Sequence, residues 1–193
     1  VRATPDAPRL DTQLYINPIT YSVTDGDTRR LTKPDRAPGF ALSFNSCRPY
    51  STGSVYIKSA DAATPPAIHG NYLDDQRDID DVLRIARFIG RMQNSPSVQK
   101  LLAAPPETNL LALSDNEIID DFRARSGTVF HPCGTCRMGP DRRHSVVDPQ
   151  LRVHGVGKLR VADAAIFPNI TSANTNAPTI AVAHKAADLI LQS

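Results

Sequence analysis

Tryptophan is absent from the 193 residues, cysteine occurs three times, and no long apolar run is present. Three cysteines are too few for a disulfide framework. The longest nearly apolar stretch, Ile180 to Leu191, is interrupted by His184, Lys185 and Asp188. It falls well short of the ~20 apolar residues that span a bilayer, so no membrane segment is expected. Charge of one sign is also lacking. Lys+Arg 22 against Asp+Glu 20 leaves +2, which gives no reason to expect nucleic acid as a partner. Residue 1 is Val and the only methionines are Met92 and Met138, so the expectation is a fragment or a processed product. No basic region followed by an apolar run opens the sequence, so no leader is visible and a cytoplasmic location is favoured.

Hydrophobic residues at 40% and charged residues at 22% match ordinary globular usage and exclude a mostly disordered chain. Proline is abundant, 16 residues, which predicts many turns and short elements. Cys133-Gly-Thr-Cys136 has the spacing of a redox dithiol or half a zinc site. A structural zinc needs four ligands, yet only His131 and His144 lie close by and no second such pair exists. Dithiol motifs of this spacing open a helix, whereas Pro132 and Gly134 make this stretch a loop. No metal site is expected.

Residues 1–40 read as turn-rich, with short strands at Gln13–Ile16 and Ile19–Val23 and a turn at Asp25-Gly26-Asp27. Phe40–Phe44 and Ser54–Lys58 alternate, which predicts a hairpin-like pair with a long connection. Ile79, Val82, Leu83, Ala86, Ile89 and Met92 follow helical spacing, with Asp78 as N-cap. Ser95-Pro96 starts a short helix running to Ala103, and Ser114 to Glu117 is a capping box ahead of a helix ended by Gly127. These helices read as packing elements. Beyond Gly127, strands are expected at Thr128–Phe130, Val146–Pro149, Leu151–Val153 and Leu159–Asp163. A final helix then places Ile180, Ala183, Ala187 and Ile190 on one side.

Two features could carry chemistry. A strand, a polar loop and a helix starting at Asn176-Ala177-Pro178 can make an anion site, because helix N-termini offer unpaired N–H groups. An ordinary capped helix is the plain alternative. His131 could accept a hydroxyl proton if a carboxamide such as Asn174 held the same oxygen, although spacing alone does not bring them together.

Four motifs in order carry a resemblance. His131-Pro-Cys-Gly-Thr-Cys-Arg-Met-Gly139, Val146-Val-Asp-Pro-Gln-Leu-Arg-Val-His-Gly155, Leu159-Arg-Val-Ala-Asp-Ala164 and Asn174-Thr-Asn-Ala-Pro-Thr-Ile180 resemble the carboxy-terminal part of a glucose–methanol–choline (GMC) oxidoreductase. Cys47-Arg-Pro-Tyr-Ser-Thr-Gly-Ser-Val55 and Asn71-Tyr-Leu73 point to its choline-dehydrogenase-like branch. The likeness covers roughly residues 10–192.

The resemblance implies an α+β architecture. Residues 1–129 would be the later part of an antiparallel-sheet substrate domain with flanking helices. Residues 130–193 would return to a Rossmann-like FAD-binding domain and supply its last strand and helix. It implies an FAD-dependent dehydrogenase or oxidase in which an alcohol gives a hydride to flavin N5. His131 would accept the hydroxyl proton and Asn174 would hold the alkoxide oxygen. Asp163 and Ala164 would lie along the FAD. Thr175, Asn176, Pro178 and Thr179 would sit beside the flavin ring, with the helix start stabilising charge on its N1–C2=O edge.

The family also needs an amino-terminal G-x-G-x-x-G loop for the ADP moiety. None of the ten glycines here has that spacing. An FAD-binding segment supplied from the same or a separate chain is therefore an expected partner, beside a small alcohol substrate. Alternatives are a family member with non-redox flavin chemistry, such as a hydroxynitrile lyase, or a non-catalytic binding fragment.

Overall fold

A computed structural model describes residues 1–23 and 31–192. In chain order the elements are β1 (Thr12–Asn17), β2 (Tyr21–Val23), β3 (Leu31–Pro34), β4 (Ala41–Ser46), β5 (Ser54–Tyr56), β6 (Ala67–His69), α1 (Gln76–Gln93), α2 (Pro96–Gln99), α3 (Asp115–Arg125) and α4 (Asn176–Leu191). A 3-10 turn spans Ala164–Ile166. The α+β class with small antiparallel sheets holds. The chain divides into two compact units, one made of Val1–Tyr50 and Leu73–Thr128, the other of Ser51–Tyr72 and Val129–Ser193.

In the first unit, β1 pairs antiparallel with β4 over a six-residue register from Thr12↔Ser46 to Asn17↔Ala41. The hairpin expected between Phe40–Phe44 and Ser54–Lys58 is therefore not formed. The alternating strand instead finds its partner upstream, where Leu14 and Leu42 join Phe44 against the same cluster. β2 and β3 pair antiparallel; the expected turn at Asp25-Gly26-Asp27 lies outside the described residues. α1 packs on β4 and α3. Its inward stripe is Val82, Ile85, Ala86 and Ile89, with Ile85 fully buried. Burying a side chain of that size contributes about 1.5–3 kcal/mol. Phe44 and Phe122 stack at 5.5 Å between centroids. Gly90 lets α1 approach the 110–111 segment, since a Cβ there would lie 2.8 Å from Leu111 Cδ2.

The N-cap of α1 is Asp75 rather than Asp78, so the helix begins one turn earlier than the apolar pattern suggests. Asp75 accepts from the Arg77 amide at 2.9 Å. The Arg77 guanidinium, and next its amide, draw the Asp75 carboxyl down to about 2. Asp78 is buried and accepts from the Tyr50 amide at 2.8 Å, tying the loop after β4 to the helix. Ser95 and Ser114 cap α2 and α3 as expected, the latter as a full capping box. α2 is a single turn, not a helix to Ala103; α3 stops at Arg125 with Ser126 as C-cap, directly ahead of Gly127.

In the second unit, β5 and β6 form an antiparallel hairpin registered Ser54↔His69 to Tyr56↔Ala67. The core is Val147, Leu151, Ile166, Phe167 and Ala186, lined by Cys133, Met138, Val182 and Leu189 among others. The strands expected at Thr128–Phe130, Val146–Pro149, Leu151–Val153 and Leu159–Asp163 do not form. Isolated bridges Met138↔Val147, Val147↔Val153 and Arg152↔Arg160 stand in their place. The backbone explains why. Leu151, Gly155 and Lys158 all take positive φ, which folds the segment into tight arches that cannot extend a ladder. On α4 the inward ridge is Val182, Ala186 and Leu189. The expected ridge of Ile180, Ala183, Ala187 and Ile190 points outward, with Ile180 61% and Ile190 51% exposed.

Candidate active site

His131 stands at the head of a loop, directly after Phe130, whose φ of 59° turns the chain sharply. The loop is then sewn to the 3-10 turn by three amides. Gly134 N–H donates to Ala164 O (3.4 Å), Cys136 N–H to Ala165 O (2.9 Å) and Met138 N–H to Ile166 O (2.8 Å). Gly134 has φ of +86°, a conformation that disfavours any side chain. The far end is fixed by Gly139 N–H donating to Val147 O (2.9 Å) and Val146 N–H donating to Arg137 O (2.8 Å). Met138 and Cys133 contribute apolar contact to the core below. Burial pushes the Cys133 thiol up, with Arg137 pulling the other way, so a reactive thiolate is disfavoured there. Among the described residues, no group of three or more His, Cys, Asp or Glu stands together as a metal site, and Cys47, Cys133 and Cys136 form no disulfide.

A second histidine braces the same loop. His154 Nε2 lies 3.0 Å from Gly139 O and 3.2 Å from Ser145 Oγ. A carbonyl can only accept, so this nitrogen carries a proton. The Ser145 hydroxyl in turn lies 2.9 Å from Gly139 O and 2.6 Å from Asp141 O. Sequence reasoning missed Ser145 and His154, because neither lies in a recognisable catalytic spacing.

The other wall comes from the start of α4. Thr175 is its N-cap, buried to 8% exposure, and makes no side-chain capping bond. Its Oγ1 lies 3.0 Å from His131 Nδ1 instead. Asn174, expected to share a substrate oxygen with His131, directly precedes Thr175 and is exposed. Asn176 and Ala177 are exposed, while Pro178 and Thr179 are half-buried. Thr179 donates both its amide (3.0 Å) and its hydroxyl (2.7 Å) to Thr175 O, which closes the first turn. Asp163, expected along a cofactor, accepts from Ala165 N–H at 2.7 Å and so caps the 3-10 turn. Ala164 packs against the core.

The arrangement suits a ligand with an electron-rich edge. The first turn of α4 is uncapped by a side chain, contains no acidic residue, and opens beside the His131 ring.

The comparisons with known proteins agree with that chemistry. The carboxy-terminal sequence model described as GMC oxidoreductase matches residues 49–183. The chain is 37% identical, over its whole length, to the Alcohol dehydrogenase [acceptor] of Pseudomonas putida, of which it covers 34%. It is 36% identical, again over its whole length, to the Oxygen-dependent choline dehydrogenase of Burkholderia pseudomallei, of which it covers 33%. Among solved structures, a formate oxidase variant of Aspergillus oryzae RIB40, studied for FAD modification, superposes with a TM-score of 0.74 at 33% identity. That match covers 82% of this chain and 28% of that one. An FAD-dependent oxidoreductase from Chaetomium thermophilum gives a TM-score of 0.69 at 30% identity, covering 79% and 26%. The chain thus spans about a third of the length of the curated relatives it matches in full. Family model, identity and fold together make this chain a member of the GMC oxidoreductase family.

Proposed function

We propose that this chain is the carboxy-terminal catalytic portion of an FAD-dependent alcohol dehydrogenase or oxidase. The observation that carries the reading is the His131 ring, held by Thr175 at an uncapped helix start in a member of this family. FAD, when bound, supplies the acceptor for the substrate's hydride. His131 takes the alcohol's hydroxyl proton as general base. Asn174 donates a hydrogen bond to the oxygen that becomes negative as that proton leaves. Asn176, Pro178 and Thr179, with Thr175 before them, would hold the flavin ring at the positive end of α4, which would favour negative charge there. Asp163 and Ala164 would hold the cofactor from the start of the 3-10 turn.

In this reading residues 1–129 belong to the substrate domain. Residues 130–193 complete a Rossmann-like flavin domain, whose nucleotide-binding loop lies in a segment outside these residues. The substrate is a small alcohol, choline included.

The test uses the full-length, flavin-loaded enzyme without oxygen. His131→Ala should slow flavin bleaching by choline or a primary alcohol by about 10²–10⁴-fold. Bleaching at the parent rate would remove His131 from the mechanism. An alcohol-inert flavin in the parent enzyme would remove the oxidoreductase reading itself.

A further inference from the structure

Thr175 is a threonine at a helix N-cap that does not cap. A capping side chain accepts from the amide two or three residues on and needs an extended backbone. Asp75, Ser95 and Ser114 all adopt that conformation and all cap. Thr175 has φ −71° and ψ −12°, a helical backbone, and its hydroxyl turns to His131 Nδ1 at 3.0 Å. The position is held firmly, because the side chain is buried and Thr175 O takes two hydrogen bonds from Thr179.

We propose that Thr175 is the positioning residue for the proton-accepting histidine: its Oγ accepts from His131 Nδ1–H and fixes the tautomer that leaves Nε2 unprotonated. This rests on the proposed role of His131 and deepens it. The neutral imidazole carries one N–H, so an acceptor at Nδ1 puts the lone pair on Nε2. When Nε2 takes the alcohol's proton, Nδ1–H remains a donor to the same oxygen. The contact therefore survives the whole proton transfer and nothing around Nδ1 must reorganise. A hydroxyl can do this without placing a second charge beside the ring, which a carboxylate would. The proton balance is simple: the alcohol O–H bond breaks, the Nε2–H bond forms, and Nδ1–H is unchanged.

Two measurements on the full-length, flavin-loaded enzyme decide it. The first is nitrogen-15 NMR of histidine-labelled protein, with His131 assigned by its loss in His131→Gln. The parent should show the Nδ1–H tautomer, and Thr175→Val should show the two tautomers mixed. The second is anaerobic flavin reduction by choline or benzyl alcohol, whichever bleaches the parent. Thr175→Val should reduce the limiting rate about tenfold, the scale of one neutral hydrogen bond, with the alcohol's apparent Kd little changed. Thr175→Ser, which keeps the hydroxyl, should recover most of the rate.

A parent histidine found as the Nε2–H tautomer overturns the proposal. So does a valine variant with unaltered tautomer and rate, or a serine variant as slow as valine. If Thr175→Val does not retain flavin, Thr175→Ala is read in the same way. The NMR arm needs no turnover, so the two readings fail separately. A tautomer that responds to Thr175 while reduction does not would leave the hydrogen bond standing and remove His131 from the chemistry.

Discussion

Arg84 and Asp11, 73 residues apart, meet at 2.7 Å, and this ion pair joins the entry of β1 to the middle of α1. Arg84 also holds Asp81, which accepts from Ser46 Oγ at 2.9 Å, so both strands of the β1–β4 pair are tied to one helix. Asp11 receives the Ala3 amide at 3.0 Å and the Thr12 hydroxyl at 2.8 Å on its other oxygen. Burial works to raise the Asp11 carboxyl, but the Ala3 amide, the Thr12 hydroxyl and Arg84 outweigh it and leave it lowered. A carboxyl lowered in the folded state stabilises fully above its ordinary value of 3.8 and loses that contribution as pH falls through the folded value. Asp11→Asn should therefore destabilise by about 1–3 kcal/mol at neutral pH, and the gap to the parent should close below about pH 4. Urea midpoints measured from pH 7 to pH 3 check this; a gap that stays constant across the range contradicts it.

The hairpin of the second unit depends on a glycine. A Cβ on Gly53 would sit 2.3 Å from His69 O and 3.0 Å from Gly70 O, both backbone atoms with little freedom to move. Gly53→Ala should cost about 1–3 kcal/mol and open the 51–72 hairpin to protease. Parent-like cleavage kinetics would show that the strands part without penalty.

Ser114 and Glu117 exchange hydrogen bonds at the start of α3, Ser114 N–H donating to Glu117 Oε2 at 2.7 Å. Ser114→Ala should lower stability by about 1 kcal/mol. The same substitution should leave flavin reduction unchanged, which stopped-flow absorbance can verify.

Asn174 has a distinct signature if it steadies the alcohol's oxygen. Asn174→Ala in the flavin-loaded enzyme should slow reduction by about 10²-fold, the loss seen when one oxyanion donor is removed. Flavin content should be retained. Unchanged reduction would restrict Asn174 to shaping the turn before α4.

The helices were readable because their signals are local. Ser114 with Glu117, Ser95 with Pro96 and the stripe through Val82 and Ile89 each sit within one or two turns. The cap of α1 was misplaced because Asp78 satisfies a distant amide, that of Tyr50, and nothing near Asp78 in sequence signals it. Strand partners failed for the same reason. Phe40–Phe44 alternates regardless of which strand it meets, and its partner Thr12–Asn17 lies across the turn-rich region. Between Val146 and Asp163 the β-branched residues promise strands, yet positive φ at Leu151 and Lys158, unforeseeable from residue type, bends the chain into arches. The motif singles out His131 as a candidate. The hydroxyl that holds it was not, because Thr175 Oγ1 reaches the ring across 44 residues while an ordinary cap was the local expectation.

The three amides that join the His131 loop to residues 164–166 make the two stretches one mechanical part, with Asp163 as its end clip. Moving this site into another scaffold would therefore require the discontinuous cassette, loop 131–140 together with turn 163–167. Transplanting the histidine loop alone would leave three donors unmet and the ring without a fixed bearing.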